Sequence, residues 1–382
     1  MQFSSIPGKG EVKEHLITEI RSGRLPHLHL FQGREGSGEL MMALAFAQYL
    51  MCENKGEHDS CGTCGSCVKV QTLAHPDLHL SFPVIKEKTA YSSDHMGEWR
   101  EAVLENPFLT NTDWMRILKA ENKQGIISTD ECRKIIRDLT LKSFENDHKV
   151  LVLWLPEFFS RGGQTGNTLL KFLEEPTPNT HIVLVTNAVD QLLATIISRS
   201  QIVQIPDFED NEISSYLSSV MEVSPERAKE AAFLADGNMN KALKLSSDQD
   251  VSAAEQFERW MGLCKSSKNQ PLMDFSDELA TLGRERLKDF LIQCIGILRE
   301  FNALHYVTDH RMRIPGELTD FRWKFASFID HECVAEMYEN LNDAAYHIGQ
   351  YANARIELFQ LSLALRRSLQ KQNHRKKQGI AS

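Results

Sequence analysis

The chain has 382 residues, 42% of them hydrophobic and 25% charged, with a formal net charge of −9. That length exceeds one ordinary domain, and the composition is that of a globular protein. The acidic balance argues against a domain whose main task is to coat nucleic acid, and no apolar run approaches the roughly 18–20 residues of a membrane span.

In chain order, the opening MQFSSIPGKGEVKEHL has neither the basic start nor the apolar centre of a secretory signal, so a cytoplasmic location and no membrane contact are expected. The first apolar run, LHLFQ at 28–32, leads into GREGSGEL and then a long apolar helix. A phosphate-binding loop reads G-x-x-x-x-G-K-[S/T] between a strand and a helix; its backbone N–H groups cradle phosphate, its Lys neutralises it and its hydroxyl holds Mg²⁺. Gly33, Gly36 and Gly38 keep that spacing, but Glu39 stands at the Lys position and Leu40 at the hydroxyl position. Exchanging Lys for Glu removes an attraction and adds a repulsion, each worth about 4 kcal/mol at ~4 Å and an effective dielectric near 20. ATP is therefore not expected to bind here, and no intrinsic hydrolysis is expected.

Cys52, Cys61, Cys64 and Cys67 follow within 16 residues, a spacing that points to a metal rather than to disulfides. Four thiolates suit tetrahedral Zn²⁺ with a closed, structural shell, and Gly62 and Gly65 allow the tight turns between them. An iron–sulfur cluster is the competing reading of four cysteines. Cys132, Cys264, Cys294 and Cys333 are scattered through helical stretches and read as small core residues.

Further strands are expected at 77–83, 150–155, 181–186 and 202–205, each apolar enough to be buried on both faces of a parallel sheet. A helix is expected over 128–144, capped by Ser128 or Thr129. The polar stretch from about 86 to 122 reads as an insertion on the surface of the sheet domain. Glu157, in WLPEFF, reads as a solvated loop carboxylate, and Thr186 as a polar strand end. Strand signals stop after PDFED at 206–210. Three short helices are expected across 210–246, and helices from about 253 onward. The sum is an α/β fold in three domains: an α/β domain at 1–207, a small helical domain at 208–252 and a larger all-α domain at 253–382. RRSLQKQNHRKK at 366–377 carries six Lys or Arg and no acid. It reads as a solvated helix end or as a weak contact for DNA or an acidic partner.

Taken with the loop, three further stretches resemble the clamp-loader family of the AAA+ superfamily, in its delta-prime type from bacterial DNA polymerase III. GKGEVKEHLITEIRSGRLPHLHLFQG is similar to that family's entry into its first strand. NTLLKFLEEPTPNTHIVLVTN is similar to the helix and strand after the Walker B region, and LLATIISRS to the loader SRC motif, with Ser200 in the cysteine position. The likeness covers roughly residues 5–250; beyond it, NARIELFQLSLAL resembles the last collar helix.

The resemblance implies a RecA-like sheet domain with a zinc module, a helical lid and a C-terminal collar for oligomerisation. It implies a non-hydrolysing subunit beside ATPase subunits of gamma/tau type and a delta-type subunit, acting with a sliding clamp on primer-template DNA. It also implies that Arg199 reaches in trans to a neighbour's ATP. In hydrolysing relatives an Asp-Glu pair follows the third strand, where Pro156 and Glu157 stand here. They also carry a sensor arginine where GNMNKAL has Asn240, and Thr186 matches a sensor position. The 86–122 insertion departs from the family and receives no role. Two other functions remain open from sequence: an ATP-hydrolysing AAA+ subunit with an unusual loop, and a zinc-dependent nucleic-acid-binding protein.

Overall fold

The computed structural model describes residues 1–120, 123–159, 164–247, 253–266, 268–303, 325, 328–350 and 352–377. It divides into two compact units, Met1–Ser246 and Ser247–Ser382.

The first unit is built on five parallel strands, β1 (Leu28–Gly33), β2 (Leu78–Ser81), β3 (Lys149–Trp154), β4 (Thr180–Thr186) and β5 (Gln201–Ile205), in the order β2-β3-β4-β1-β5. This is an α/β domain with an all-parallel sheet. Every residue of β3 and β4 is buried, as the unbroken apolar runs require, whereas the edge strand β5 buries only alternate positions. Side chains of period two split between the faces. Phe31, Val150, Val152, Val183 and Val185 enter one core. Leu30, Leu151, Leu153, Ile182 and Leu184 enter the other.

Taking helices in chain order, α1 spans Gly10–Arg21, α2 Glu39–Met51, α3 Gly65–Gln71, α4 Met96–Glu105, α5 Asn111–Ile117, α6 Thr129–Thr140, α7 Gln164–Glu174 and α8 Ala194–Ile197. All thirteen residues of α2 are buried, as its nearly uniform apolar surface dictates. On α6, the cap is Ser128, whose Oγ accepts from the Glu131 amide at 3.0 Å. The expected helix over 128–144 stops at Thr140 because Leu141 turns to extended backbone and Lys149 Nζ donates to the carbonyls of Leu139 and Leu141.

The stretch at 86–122 is not the surface addition read from its polarity. Its described part holds α4 and α5, and Trp99, Val103, Phe108 and Trp114 are buried in the larger core. Trp99 stacks on Phe82 at 4.2 Å and meets Trp114 and Trp154 at 5.2 and 4.8 Å. Residues 210–246 form α9 (Asp210–Ser219), α10 (Pro225–Ala235) and α11 (Met239–Ser246), which pack on one another inside the first unit.

The second unit is helical throughout its described residues: α12 (Ala253–Lys265), α13 (Gln270–Ala280), α14 (Arg284–Ala303), α15 (His331–Gly349) and α16 (Ala354–Lys377). Its core gathers Trp260, Phe275, Leu291 and Leu365, with Trp260 Nε1 donating to Ser362 Oγ at 2.9 Å. The basic end of α16 is not simply solvated. Arg366 donates to the Lys268 carbonyl at 2.7 Å, Lys371 to Glu336 at 2.8 Å, and Arg375 pairs with Asp330 and Glu332. Cys132, Cys264, Cys294 and Cys333 are buried, as core thiols should be. Among the described residues no helix is long and apolar enough to cross a membrane.

Candidate functional site

Strand β1 lies between β4 and β5, and the crossovers from β1 to β2 and from β4 to β5 run in opposite directions, which makes the carboxyl end of β1 the switch-point crevice of the sheet. Open α/β sheets hold ligands at such switch points. The loop from Gly33 to Gly38 leaves β1 at this point and opens α2. Gly36 and Gly38 have φ of +80° and +86°, which L side chains rarely adopt. A Cβ on Gly36 would lie 2.2 Å from Asn238 Oδ1, and one on Gly38 3.0 Å from the Phe208 ring. The glycines of the loop thus sit beneath Asn238 and Phe208, with the Met239 amide donating to the Gly36 carbonyl at 3.0 Å.

Glu39 is the first residue of α2 and is 4% exposed; Leu40 beside it is buried in the core. Asn187 Nδ2 donates to Glu39 Oε1 at 2.8 Å and to the Gly33 carbonyl at 3.1 Å, while Ser37 Oγ donates to Glu39 Oε2 at 3.0 Å. Burial pushes the Glu39 carboxyl above its ordinary range, against these hydrogen bonds and the charge of Lys9. An acidic group at a helix start is favoured by the exposed amide dipoles of the first turn.

Lys9 reaches the same crevice. Its ammonium donates to the Pro206 carbonyl and lies 3.9 Å from the Phe208 ring centroid. Burial lowers its pKa to about 8, against the charges of Glu212, Asp207 and Glu39.

Glu157 is not the solvated carboxylate read from its loop. It sits in a 3-10 turn, Pro156–Phe158, where Thr186 Oγ1 donates to Oε2 at 2.9 Å and the Asn187 amide to Oε1 at 3.1 Å. Burial raises its pKa, and Glu39 adds to the rise. Asn187 therefore links Glu39 to Glu157, which also accepts from Thr186. Asn240, on α11, is 2% exposed; its amide donates to Asp113 Oδ2 at 2.7 Å and its carbonyl accepts from Asn106 at 2.9 Å. The spacing of the loop picked out Glu39, and the family resemblance pointed to Glu157 and Asn240. Both missed Asn187, Phe208 and Asn238, because an isolated polar or aromatic residue far along the chain carries no local signal.

Arg199 stands two residues past α8, away from these groups. Its Nε pairs with Glu174 Oε1 at 2.7 Å and its guanidinium donates to the Thr195 carbonyl at 3.0 Å. Both members of the pair are largely open, at 41% and 43% side-chain exposure.

The four clustered cysteines converge. Their sulfurs lie within 4.8 Å of one another, with Cys61 and Cys67 at 3.9 Å. That is far beyond a disulfide bond and near the roughly 3.8 Å edge of a tetrahedron of thiolates around Zn²⁺ at ~2.3 Å. The amides of Cys61, Cys64 and Cys67 donate to the sulfurs of Cys52, Cys61 and Cys64 at 3.3, 3.3 and 3.4 Å, which favours thiolate charge. The excursion is braced by the N-terminus. The amides of Phe3 and Ser4 donate to Asp59 at 3.1 and 2.8 Å, and Gln48 Nε2 to Ser60 Oγ at 2.9 Å. The four cysteines can hold a metal ion.

A family model described as "DNA polymerase III, delta subunit" matches residues 8–209. DNA polymerase III subunit delta' of Bacillus subtilis is 27% identical over 241 residues, 63% of this chain and 60% of that protein. The subunit of the same name from Escherichia coli is 26% identical over 278 residues, 72% of this chain and 69% of that protein. The match thus spans less than two thirds of the Bacillus relative. A DNA polymerase III gamma-subunit-related protein of Thermotoga maritima superposes with a TM-score of 0.41 at 16% identity, over 93% of this chain and 99% of that one.

Proposed function

The chain belongs to the DNA polymerase III delta-subunit family, and from that premise we propose that it serves in the cytoplasm as a delta-prime-type clamp-loader subunit, one that helps place a sliding clamp on primed DNA without hydrolysing ATP itself. Its partners would be gamma/tau-type ATPase subunits, a delta-type subunit, and through the assembly the clamp and primer-template DNA. The single observation that carries the ATP-inactive part is Glu39. A carboxylate buried at the head of α2, hydrogen-bonded to Asn187 and Ser37, occupies a helix start that would otherwise attract phosphate. Leu40, buried beside it, offers no oxygen to Mg²⁺. Glu157 has no aspartate beside it, and Asn240 is committed to Asp113.

Arg199 would act in trans. An ion pair between exposed side chains contributes about 0–1 kcal/mol, so Glu174 can release the guanidinium to a neighbour's phosphate at little cost. Such a cation stabilises charge that develops on a transferred phosphoryl group. Zn²⁺ held by Cys52, Cys61, Cys64 and Cys67 would close the excursion between α2 and α3 structurally. The helical second unit would serve as the collar.

The test is a loader reconstituted with wild-type or Arg199→Ala subunit and checked for equal assembly. Clamp- and DNA-stimulated ATPase should fall with Arg199→Ala and persist with Glu174→Gln. Equal rates at equal assembly would remove the role of Arg199.

A further inference from the structure

We propose that the inserted segment of the first unit is a built-in ligand. Through Asn106, Phe108 and Asp113 it fills the crevice at the end of β1 and ties the glycine loop to α11, where a bound nucleotide would otherwise make the bridge.

Three contacts carry this. The Phe108 ring packs edge-on against Phe208 at 5.7 Å and Tyr216 at 5.6 Å, and its edge lies 3.4 Å from the point where a Cβ on Gly38 would stand. Its position against the last glycine leaves it 2% exposed. Asn106 Nδ2 donates to Asn240 Oδ1 at 2.9 Å. Asp113 accepts from Asn240 Nδ2 at 2.7 Å, from Lys244 Nζ at 2.8 Å and from Thr110 Oγ1 at 2.7 Å. The circuit closes because the Met239 amide, on α11, donates to Gly36 of the loop.

The chemistry is that of a ligand. An aromatic ring covers the loop, and a carboxylate meets an ammonium and an amide on the helix. Burial alone would raise the Asp113 carboxyl, but the charge and hydrogen bond of Lys244, with Thr110 and Asn240, hold it below its ordinary value. Being covalently attached, the segment occupies the crevice at every nucleotide concentration. It therefore keeps α11 on the loop with no ligand to dissociate, a fixed state suited to a subunit that does not hydrolyse ATP. The proposal does not depend on Arg199 or on the identity of the partners.

Amide hydrogen exchange of the full chain tests it, comparing wild type with Phe108→Ala and Asn106→Ala. Exchange in residues 34–38 and 239–246 should quicken about fivefold or more in both variants, while β3 and β4 keep their protection. Should Phe108→Ala fail to fold, Asn106→Ala, which removes one amide, gives the same reading. Acceleration confined to 96–117 would show that the segment packs beside the crevice without holding it, and would overturn the proposal alone. New protection of 34–38 when ATP and Mg²⁺ are added to wild type would overturn it together with the ATP-inactive reading.

Discussion

Replacing Glu39 by Gln should stabilise the protein at neutral pH, and the gain should vanish in acid. Gln keeps the volume of Glu in a site that is 4% exposed. Its carbonyl can still accept from Asn187, and Ser37 can accept from its NH₂, because a hydroxyl works both ways. What disappears is a buried negative charge, together with its repulsion of Glu157 and its attraction to Lys9. An incompletely compensated polar group of this kind costs about 1–3 kcal/mol. At ~2–4 °C per kcal/mol for a unit of this size, the melting temperature should rise by roughly 2–12 °C.

The sign follows from proton linkage. Glu39 titrates in the fold above its unfolded value of about 4.3. The wild type therefore has its full stability relative to the Gln variant below that pH, and loses it as pH rises through the folded value. Paired thermal melts at steps from about pH 4.5 to 8 should show curves that coincide in acid and separate toward neutrality. A Gln variant less stable than wild type near pH 7, or a difference independent of pH, would mean that the carboxylate is a net stabiliser and would refute the reasoning.

Elemental analysis of the purified full chain should find one Zn²⁺ per molecule, and Cys64→Ser should lower that content and open residues 52–67 to proteolysis; iron with visible absorbance, or carefully prepared protein without metal, would count against zinc. Trp99→Ala should destabilise the first unit by about 3–5 kcal/mol in denaturant titrations, since the indole packs against Phe82, Trp114 and Trp154. A loss under about 1 kcal/mol, the size of an ordinary surface change, would show that the segment is not part of the core.

What the sequence made legible was local. The five strands stand within a few residues of their apolar runs, because strands covered on both faces need no polar alternation to be seen. The Ser128–Thr129 pair announced the start of α6, and the cysteine spacing announced a cluster, since cap and ligands lie a few residues apart. What stayed hidden depended on partners far along the chain. Trp99 and Trp114 occupy two short helices whose apolar partners, Phe82 and Trp154, belong to other segments, so no period betrayed their burial. Glu157 reads as an open loop acid until Thr186 and Asn187 are brought to it. The basic end of α16 reads as solvated until α15 supplies Glu332 and Glu336. Periodicity tells which face is apolar, but not which polar groups will meet.

The same long-range pairing bears on how the proposed loss of ATP chemistry would be maintained. Glu39 is the acceptor for Asn187, Glu157 for Thr186, and Asn240 the link between Asn106 and Asp113. Each is a partner in a buried or part-buried contact, so replacing any one of them strands another polar group, at up to about 1–3 kcal/mol apiece. Lysine at position 39 would face the Lys9 ammonium and leave the Asn187 amide with no acceptor on that side chain, while Phe108 and Phe208 still covered Gly38. Restoring the motif in sequence would then not restore the site. The contacts that replaced it would have to be undone together, and the stability of the first unit stands against each single step.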